Sequence, residues 1–274
     1  MDSDPPTISV IVPTYNRPLA IDRCLNALAE QDYSDSRFEV IVVNDGGEPL
    51  PEKTGAALSR RAALNIINRP NQGPAGARNS GARTAAGDFL AFTDDDCIPD
   101  PGWLSALAKN LGSDNAYTVG GRTVNGLIDN PFSSASQQLI DYLYDFYLLQ
   151  VGRKAQPLFF TSNNFALARH IFEGVGGFDD RLVTAEDRDI CARLLENGSK
   201  LCYAPEACVF HFHDLNIKSF FRQHFRYGQG NYDFHNLRKQ RGHQAYRLER
   251  VGFYTGMLTS PISQSAGGQG LLLS

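Results

Sequence analysis

Over the first hundred residues, short apolar runs rich in β-branched side chains alternate with helical stretches, and three of the runs stop on a polar cluster. Ile8-Ser9-Val10-Ile11-Val12 ends at Pro13-Thr14-Tyr15-Asn16-Arg17, and Phe38 to Val43 ends at Asn44-Asp45-Gly46-Gly47. Phe89-Leu90-Ala91-Phe92-Thr93 runs straight into Asp94-Asp95-Asp96, and Leu64 to Ile67 is a weaker run of the same kind. Each reads as a buried strand. Between them, Ile21, Cys24, Leu25 and Leu28 keep the spacing of a helix with one buried face, begun by Asn16 as N-cap with Pro18 in the first turn. Gly73 to Asn79 opens an alanine-rich helix running to about Ala86. Strands alternating with helices at this spacing predict an α/β fold with a mainly parallel central sheet flanked by helices. Ligands of such sheets bind beyond the carboxyl ends of the strands. The three polar clusters are therefore expected to meet in one crevice.

The second half is less regular. Ser134 to Leu149 reads as an amphipathic helix, Phe159 to Leu167 holds Thr161-Ser162-Asn163-Asn164 between apolar flanks, and Gly174 to Asp180 is a glycine-rich turn. Asp187 to Asn197 reads as a helix ended by Gly198. Leu201-Cys202-Tyr203 and Cys208-Val209-Phe210 read as two short strands flanking Pro205, and Ser260 to Gly270 as loosely ordered.

The chain of 274 residues suits one large domain or two closely joined ones. Its net charge of −4 gives no reason to expect nucleic acid as a partner. Charge is uneven, since Ile217 to Arg250 carries eight Lys/Arg against two Asp/Glu. Five cysteines without paired short spacing argue against a disulfide framework or a zinc knuckle and for a reducing compartment. The acidic, proline-rich start from Met1 to Thr7 does not read as a signal peptide, and no run is long and apolar enough to span a bilayer. The expected location is the cytoplasm, with peripheral contact on the inner face of the cell membrane.

Three acids at the end of a buried strand repel one another unless something positive sits there. A divalent Mg²⁺ or Mn²⁺ bridging carboxylate and phosphate oxygens would supply that charge; read alone, Asp94 to Asp96 is equally a solvated turn. Asp45 is placed to accept the N–H of a nucleobase, or simply closes a tight turn. The helix opening at Gly73 favours phosphate and carries Arg78, though good helix formers alone would explain it. Glu186 and Asp187 suit a helix N-terminus, and a carboxylate pinned there also suits a general base. His211 and His213 share a strand face, from which one could complete a metal site begun by Asp96.

Six segments taken together resemble the family 2 inverting glycosyltransferases of GT-A fold: Val12 to Arg17, Val43 to Gly46, Gly73 to Asn79, Thr93 to Asp96, Gly176 to Asp179 and Glu186 to Asp189. The resemblance covers roughly Thr7 to Gly230. It implies a Rossmann-like catalytic domain over 7–230, with a nucleotide-sugar-binding half over about 7–120, an acceptor-binding half over about 121–230, and a basic extension over 231–274. Pro13, Tyr15, Arg17, Asp45 and Arg78 then fall at nucleotide-sugar-binding positions. Asp94, Asp95 and Asp96 match the DXD element, in which Asp94 approaches the ribose and Asp96 holds the metal. His211 falls where relatives place a second metal ligand, His213 being the alternative. Asp187 matches the general base, supported by Glu186.

The implied activity is metal-dependent transfer of a sugar, with inversion, from a nucleotide-diphosphate sugar, UDP-sugar being favoured. The acceptor is a hydroxyl on a carbohydrate or lipid-linked molecule, in the synthesis of cell-surface polysaccharide, glycolipid or glycoconjugate. The Gln-x-x-Arg-Trp element of processive synthases is absent, Gln223-His224-Phe225-Arg226-Tyr227 being a partial echo. Aromatic residues interleaved with cations over 217–250 suit either membrane contact or a helix packed over the active site with its charges solvated. The rival readings are a sugar-1-phosphate nucleotidyltransferase and a non-catalytic nucleotide-sugar-binding protein.

Overall fold

A computed structural model describes residues 7–111, 117–146, 159–243 and 251–266. Eight strands form one sheet: β1 (Ile8–Thr14), β2 (Phe38–Asp45), β3 (Ala63–Arg69), β4 (Phe89–Phe92), β5 (Cys97–Pro99), β6 (Tyr117–Asn125), β7 (Phe165–Ala168) and β8 (Lys200–His211). Their order is β3-β2-β1-β4-β7-β6-β8-β5. The β3-β2-β1-β4 half is parallel, as is β6 with β8, whereas β7 runs antiparallel to both neighbours and β5 antiparallel to β8. The described helices are α1 (Pro18–Ala29), α2 (Gly73–Thr84), α3 (Trp103–Leu111), α4 (Pro131–Asp145), α5 (Arg169–Gly174), α6 (Glu186–Glu196), α7 (Ile217–Gln240) and α8 (Val251–Ala266).

The near-continuous burial of β1 follows from cover on both faces. Ile8, Val10 and Val12 pack with Ile21, Leu25 and Leu28 of α1 and with Trp103 and Leu107 of α3. Ile11, one residue out of phase, packs on the other face with Ile41, Val43 and the alanines of α2. α2 lies close enough that a Cβ added at Gly81 would stand 2.6 Å from Ile11 Cγ2. Small residues in this helix thus set its distance from the sheet, and with it the depth of Arg78.

Several local expectations are revised. Asn16 does not cap α1: it adopts a left-handed φ of 55° and its Oδ1 accepts from Glu48 N, leaving Arg17 at the cap position. The two short strands around Pro205 are one strand, β8, whose register against β6 shifts between Gly121 and Arg122. Proline is tolerated at such an irregularity because no ladder N–H is needed there. α6 begins one residue earlier than expected, at Glu186. α8 covers 260–266 of the stretch expected to be loose, while 267–270 lie outside the described residues, as do 1–6 of the acidic start, 147–149 of the helix expected to Leu149, and 244–250 of the basic segment. α7 runs unbroken across residue 230. All five cysteines are free.

Candidate active site

Parallel pairing sets the carboxyl ends of β1, β2 and β4 side by side, with Thr14 opposite Asn44 and Ile11 opposite Phe92. The polar clusters that follow these strands therefore meet. Thr14 Oγ1 donates to Asp95 at 2.7 Å. Arg17 reaches across from the start of α1 and donates to Asp95 at 3.1 Å and Asp96 at 2.8 Å. One half-exposed guanidinium thus supplies the positive charge that adjacent carboxylates require. Burial, and then the charge of Asp96, still pushes the Asp95 carboxyl up to about 6 against the pull of Arg17.

Asp96 is joined to the far side of the sheet by β5. Cys97 pairs with His211 across the antiparallel β5–β8 ladder, and Phe212 N donates to the Asp96 carbonyl at 2.8 Å. His211 Nε2 consequently stands 3.3 Å from Asp96 Oδ1. Burial opposes ionisation of both groups, but their mutual attraction wins, lowering the Asp96 carboxyl and raising the His211 imidazole. His213 lies beside them, its ring centroid 5.1 Å from that of His211, and burial followed by the His211 charge lowers its imidazole. Against Asp96 the ladder therefore places His211.

A carboxylate oxygen and an imidazole nitrogen at this separation are the donor types a divalent ion takes, so Asp96 and His211 fit one. Cys97 Sγ belongs to the same group, the three ligand atoms lying within 4.8 Å of one another. Burial and the charges of Asp96 and Asp94 push its thiol well above the ordinary range.

The acid pair of α6 enters through Arg78. This arginine, 3 % exposed, donates to Asp94 at 2.6 Å and to Glu186 at 3.1 Å. Burial works against its charge, but Asp94 and then Glu186 outweigh it. Asp94, expected at the ribose, is thereby tied to Glu186, 92 positions away in sequence. Asn79, on the next residue of α2, makes a reciprocal amide pair with the backbone of Phe178, donating to its carbonyl at 2.8 Å and accepting from its N–H at 2.9 Å. The Phe178 ring then lies under the Arg78 guanidinium, 5.6 Å from ring centroid to Cζ. The glycine-rich turn thus locks the arginine that bridges both acids. Asp187 accepts from the backbone N–H of Arg188 at 2.7 Å and, among the described residues, has no side-chain donor. Burial raises both the Glu186 and Asp187 carboxyls, with Asp187 adding to the effect on Glu186.

On the other flank, Asp45 is 4 % exposed and accepts from Gln72 N at 3.1 and 3.3 Å, with Arg69 Nε 3.2 Å away. Arg69 was not singled out from the sequence: as the last residue of a weak strand it carries no pattern of its own. Pro13 lies half-buried at the end of β1 and Tyr15 is 51 % exposed just beyond it. Asn164, fully buried, accepts from Trp103 Nε1 and donates to the carbonyls of Arg122 and Ala207, so it fills the sheet interior.

A cleft of about 710 Å³ opens beside Asp96 and His213. Arg17 and Arg23 line one wall, and Ser219, Arg222, Gln223, Arg226 and Tyr227 of α7 line the other. Burial, and then the charges of Asp187, Glu186 and Asp94, push the Tyr227 phenol up. α7 is held there by Gly230, where any side chain would collide with Thr184, and by Thr184 Oγ1 donating to the Arg226 carbonyl at 3.0 Å. Of the partial echo Gln223 to Tyr227, Gln223, Arg226 and Tyr227 thus line the cleft, and the helical spacing of Gln223 and Tyr227 is the signal in the sequence.

A mainly parallel sheet with its acids gathered beyond the strand ends, extended by an antiparallel β7 and a long β8, is the GT-A fold of glycosyltransferases. The profile of the family described as "Glycosyl transferase family 2" matches residues 9–176, and the chain belongs to that family. The nucleotidyltransferase reading is thereby set aside. The chain is 27 % identical over 229 residues to a pre-mycofactocin glycosyltransferase of Mycobacterium tuberculosis, an alignment covering 81 % of this chain and 46 % of that protein. It thus spans about half the length of that relative. It is 28 % identical over 237 residues to the glycosyltransferase AglE of Haloferax volcanii, covering 84 % and 74 %. Among solved structures, the mannosyltransferase PcManGT of Pyrobaculum calidifontis, in complex with GDP-Man and Mn²⁺, superposes with a TM-score of 0.65 at 20 % identity, covering 98 % and 79 %. S. aureus TarS 1–349 in complex with UDP-GlcNAc does so with a TM-score of 0.57 at 22 % identity, covering 77 % and 59 %. These likenesses establish the fold.

Proposed function

We propose that this protein transfers a sugar from a nucleotide-diphosphate sugar to an acceptor hydroxyl in one inverting displacement, with Asp187 as general base. The observation that carries the proposal is the Asp94–Arg78–Glu186 bridge, which joins the strand-end acids to the acid pair of α6. The nucleoside would lie against Pro13, Tyr15 and Asp45, with Asp94 and Asp95 toward the ribose and the diphosphate toward Arg17 and Arg78. Asp96 and His211 would hold Mn²⁺ or Mg²⁺, which when bound neutralises charge on the leaving diphosphate.

Glu186 is committed to Arg78, whereas Asp187, among the described residues, is held only by backbone N–H groups. Asp187 is therefore the acid free to take a proton. It accepts the proton of the acceptor hydroxyl while that oxygen bonds to the anomeric carbon from the face opposite the diphosphate. The bond to the phosphate oxygen breaks, and its electron pair leaves with the diphosphate. Burial raises the proton affinity of Asp187, making it a stronger base once ionised.

A UDP-sugar is the proposed donor, and GDP-Man, held by the Pyrobaculum relative, names the first competitor to compare. The acceptor would be carbohydrate or lipid-linked. Asp187→Asn keeps the shape of the site and removes the base. Thermal-shift titration with UDP and Mn²⁺ is expected to give an unchanged affinity, while transfer falls on the order of 10²–10⁴-fold. Transfer by the variant at the wild-type rate would refute the assignment.

A further inference from the structure

We propose that α7 seats the protein on an anionic lipid surface, and that the acceptor reaching the cleft is therefore a hydroxyl carried by a lipid-borne molecule. The second clause rests on the transferase reading above; the first does not.

At about 100° per residue, Ile217, Phe221, Phe225 and Tyr232 fall within roughly 80° of one another around the helix axis. They form one stripe along α7, with exposures of 58, 65, 68 and 69 %. The opposite side carries Gly230 and Phe234, both buried, and Gln223 and Tyr227, which line the cleft. The helix is thus divided between an inward face that packs and an outward face of large apolar side chains. Ile128, 77 % exposed, stands on the adjoining loop, which Asn130 ties to Asp214 and Leu215 at the root of α7.

Charge decides what this stripe meets. α7 carries five cations, Lys218, Arg222, Arg226, Arg238 and Lys239, against one acid, Asp233. Lys218 and Arg222 are exposed beside the stripe, and among the described residues neither has a carboxylate in ion-pair reach. A second copy docking by the same stripe would bring two surfaces of the same net positive charge together. An anionic lipid surface instead matches both halves of the pattern, taking the apolar rings at the headgroup boundary and the cations at the headgroups. Among the described residues no helix is long and apolar enough to cross a membrane, so the contact would be peripheral. Because Ser219, Arg222, Gln223, Arg226 and Tyr227 also form a wall of the cleft, seating α7 puts the cleft beside the headgroups.

The test is co-sedimentation with vesicles of phosphatidylcholine alone and with about 25 % phosphatidylglycerol, in about 0.1 M and about 0.5 M NaCl. Wild type is expected to bind only the anionic vesicles, and less at high salt. The double variant Phe221→Ser/Phe225→Ser should partition on the order of tenfold more weakly per ring, and Lys218→Glu several-fold more weakly. The thermal shift given by nucleotide should be unchanged in both variants, showing an intact fold and donor site. Equal sedimentation of wild type and the double variant overturns the proposal. So does a wild-type dimer that the double variant converts to monomer, because the stripe would then be covered by a second copy. Vesicle binding without any nucleotide shift would instead sink the transferase reading and leave the lipid seat standing.

Discussion

Arg241, at the C-cap of α7, gives the sharpest test of how this architecture holds its acid helix. Asp189, one turn into α6 and fully buried, takes Arg193 on one oxygen and Arg241 on the other, at 2.7 and 2.5 Å. Arg241 also reaches Asp179 at 2.8 Å. Removing one partner of a buried pair typically costs 3–5 kcal/mol, since the remaining charge keeps its desolvation penalty. Here Arg193 stays in place and the Arg241 side chain is 27 % exposed, so Arg241→Met should cost about 2 kcal/mol. That corresponds to a melting temperature lowered by about 4–8 °C. The control is Arg238→Met on the same helix, whose partner Glu196 is one-third exposed at 3.2 Å and which should cost under about 1 kcal/mol. Urea unfolding of the two variants, and of Arg241→Met combined with Asp189→Asn, measures the difference. The combined variant should lose less than the sum of the single losses. Equal midpoints for Arg241→Met and Arg238→Met would refute the reasoning.

Further outcomes follow from the same geometry. Gly81→Ala places a Cβ 2.6 Å from Ile11 Cγ2, and overpacking should cost about 1–3 kcal/mol, read as a lower urea midpoint. Asp141, between α4 and the sheet, is pushed up to about 6, mainly by burial. A carboxyl raised on folding favours the folded state below its unfolded value near 4 and loses that advantage as pH rises through 6. Asp141→Asn should therefore match wild type near pH 4 and be more stable by about 1–2 kcal/mol at pH 7.5, after discount for its partial exposure; equal stability at both pH values would exclude this. Arg17→Gln removes the cation standing on Asp95 and Asp96, so Mn²⁺ titrated calorimetrically without nucleotide should bind several-fold more tightly.

The strand-end acids were legible in the sequence because burial on both faces of a parallel sheet leaves few polar residues, and those few sit where strands stop. Asp45 and Asp94 to Asp96 stand out in this way, and Glu186-Asp187 stand out as acids at a helix start. Which acid touches which cation was not legible there. Arg78 pairs with Asp94 and Glu186. Arg17 stands on Asp95 and Asp96, and Arg69 beside Asp45. Each of these contacts joins residues that no periodicity relates.

What the sequence by itself determined is the alternation of strand and helix in the first half, the helix faces that bury, and the chemical types gathered at the strand ends. These are local properties: period, propensity and turn residues act over a few positions. Tertiary structure alone decided the sheet order after β4, the three-residue β5 that carries Asp96 to His211, the merger of two apparent strands into β8, and the folding of α7 over the cleft. Those features depend on pairing between segments tens to a hundred residues apart. The free energy that fixes them is shared packing and ladder hydrogen bonding, which no local pattern of side chains records.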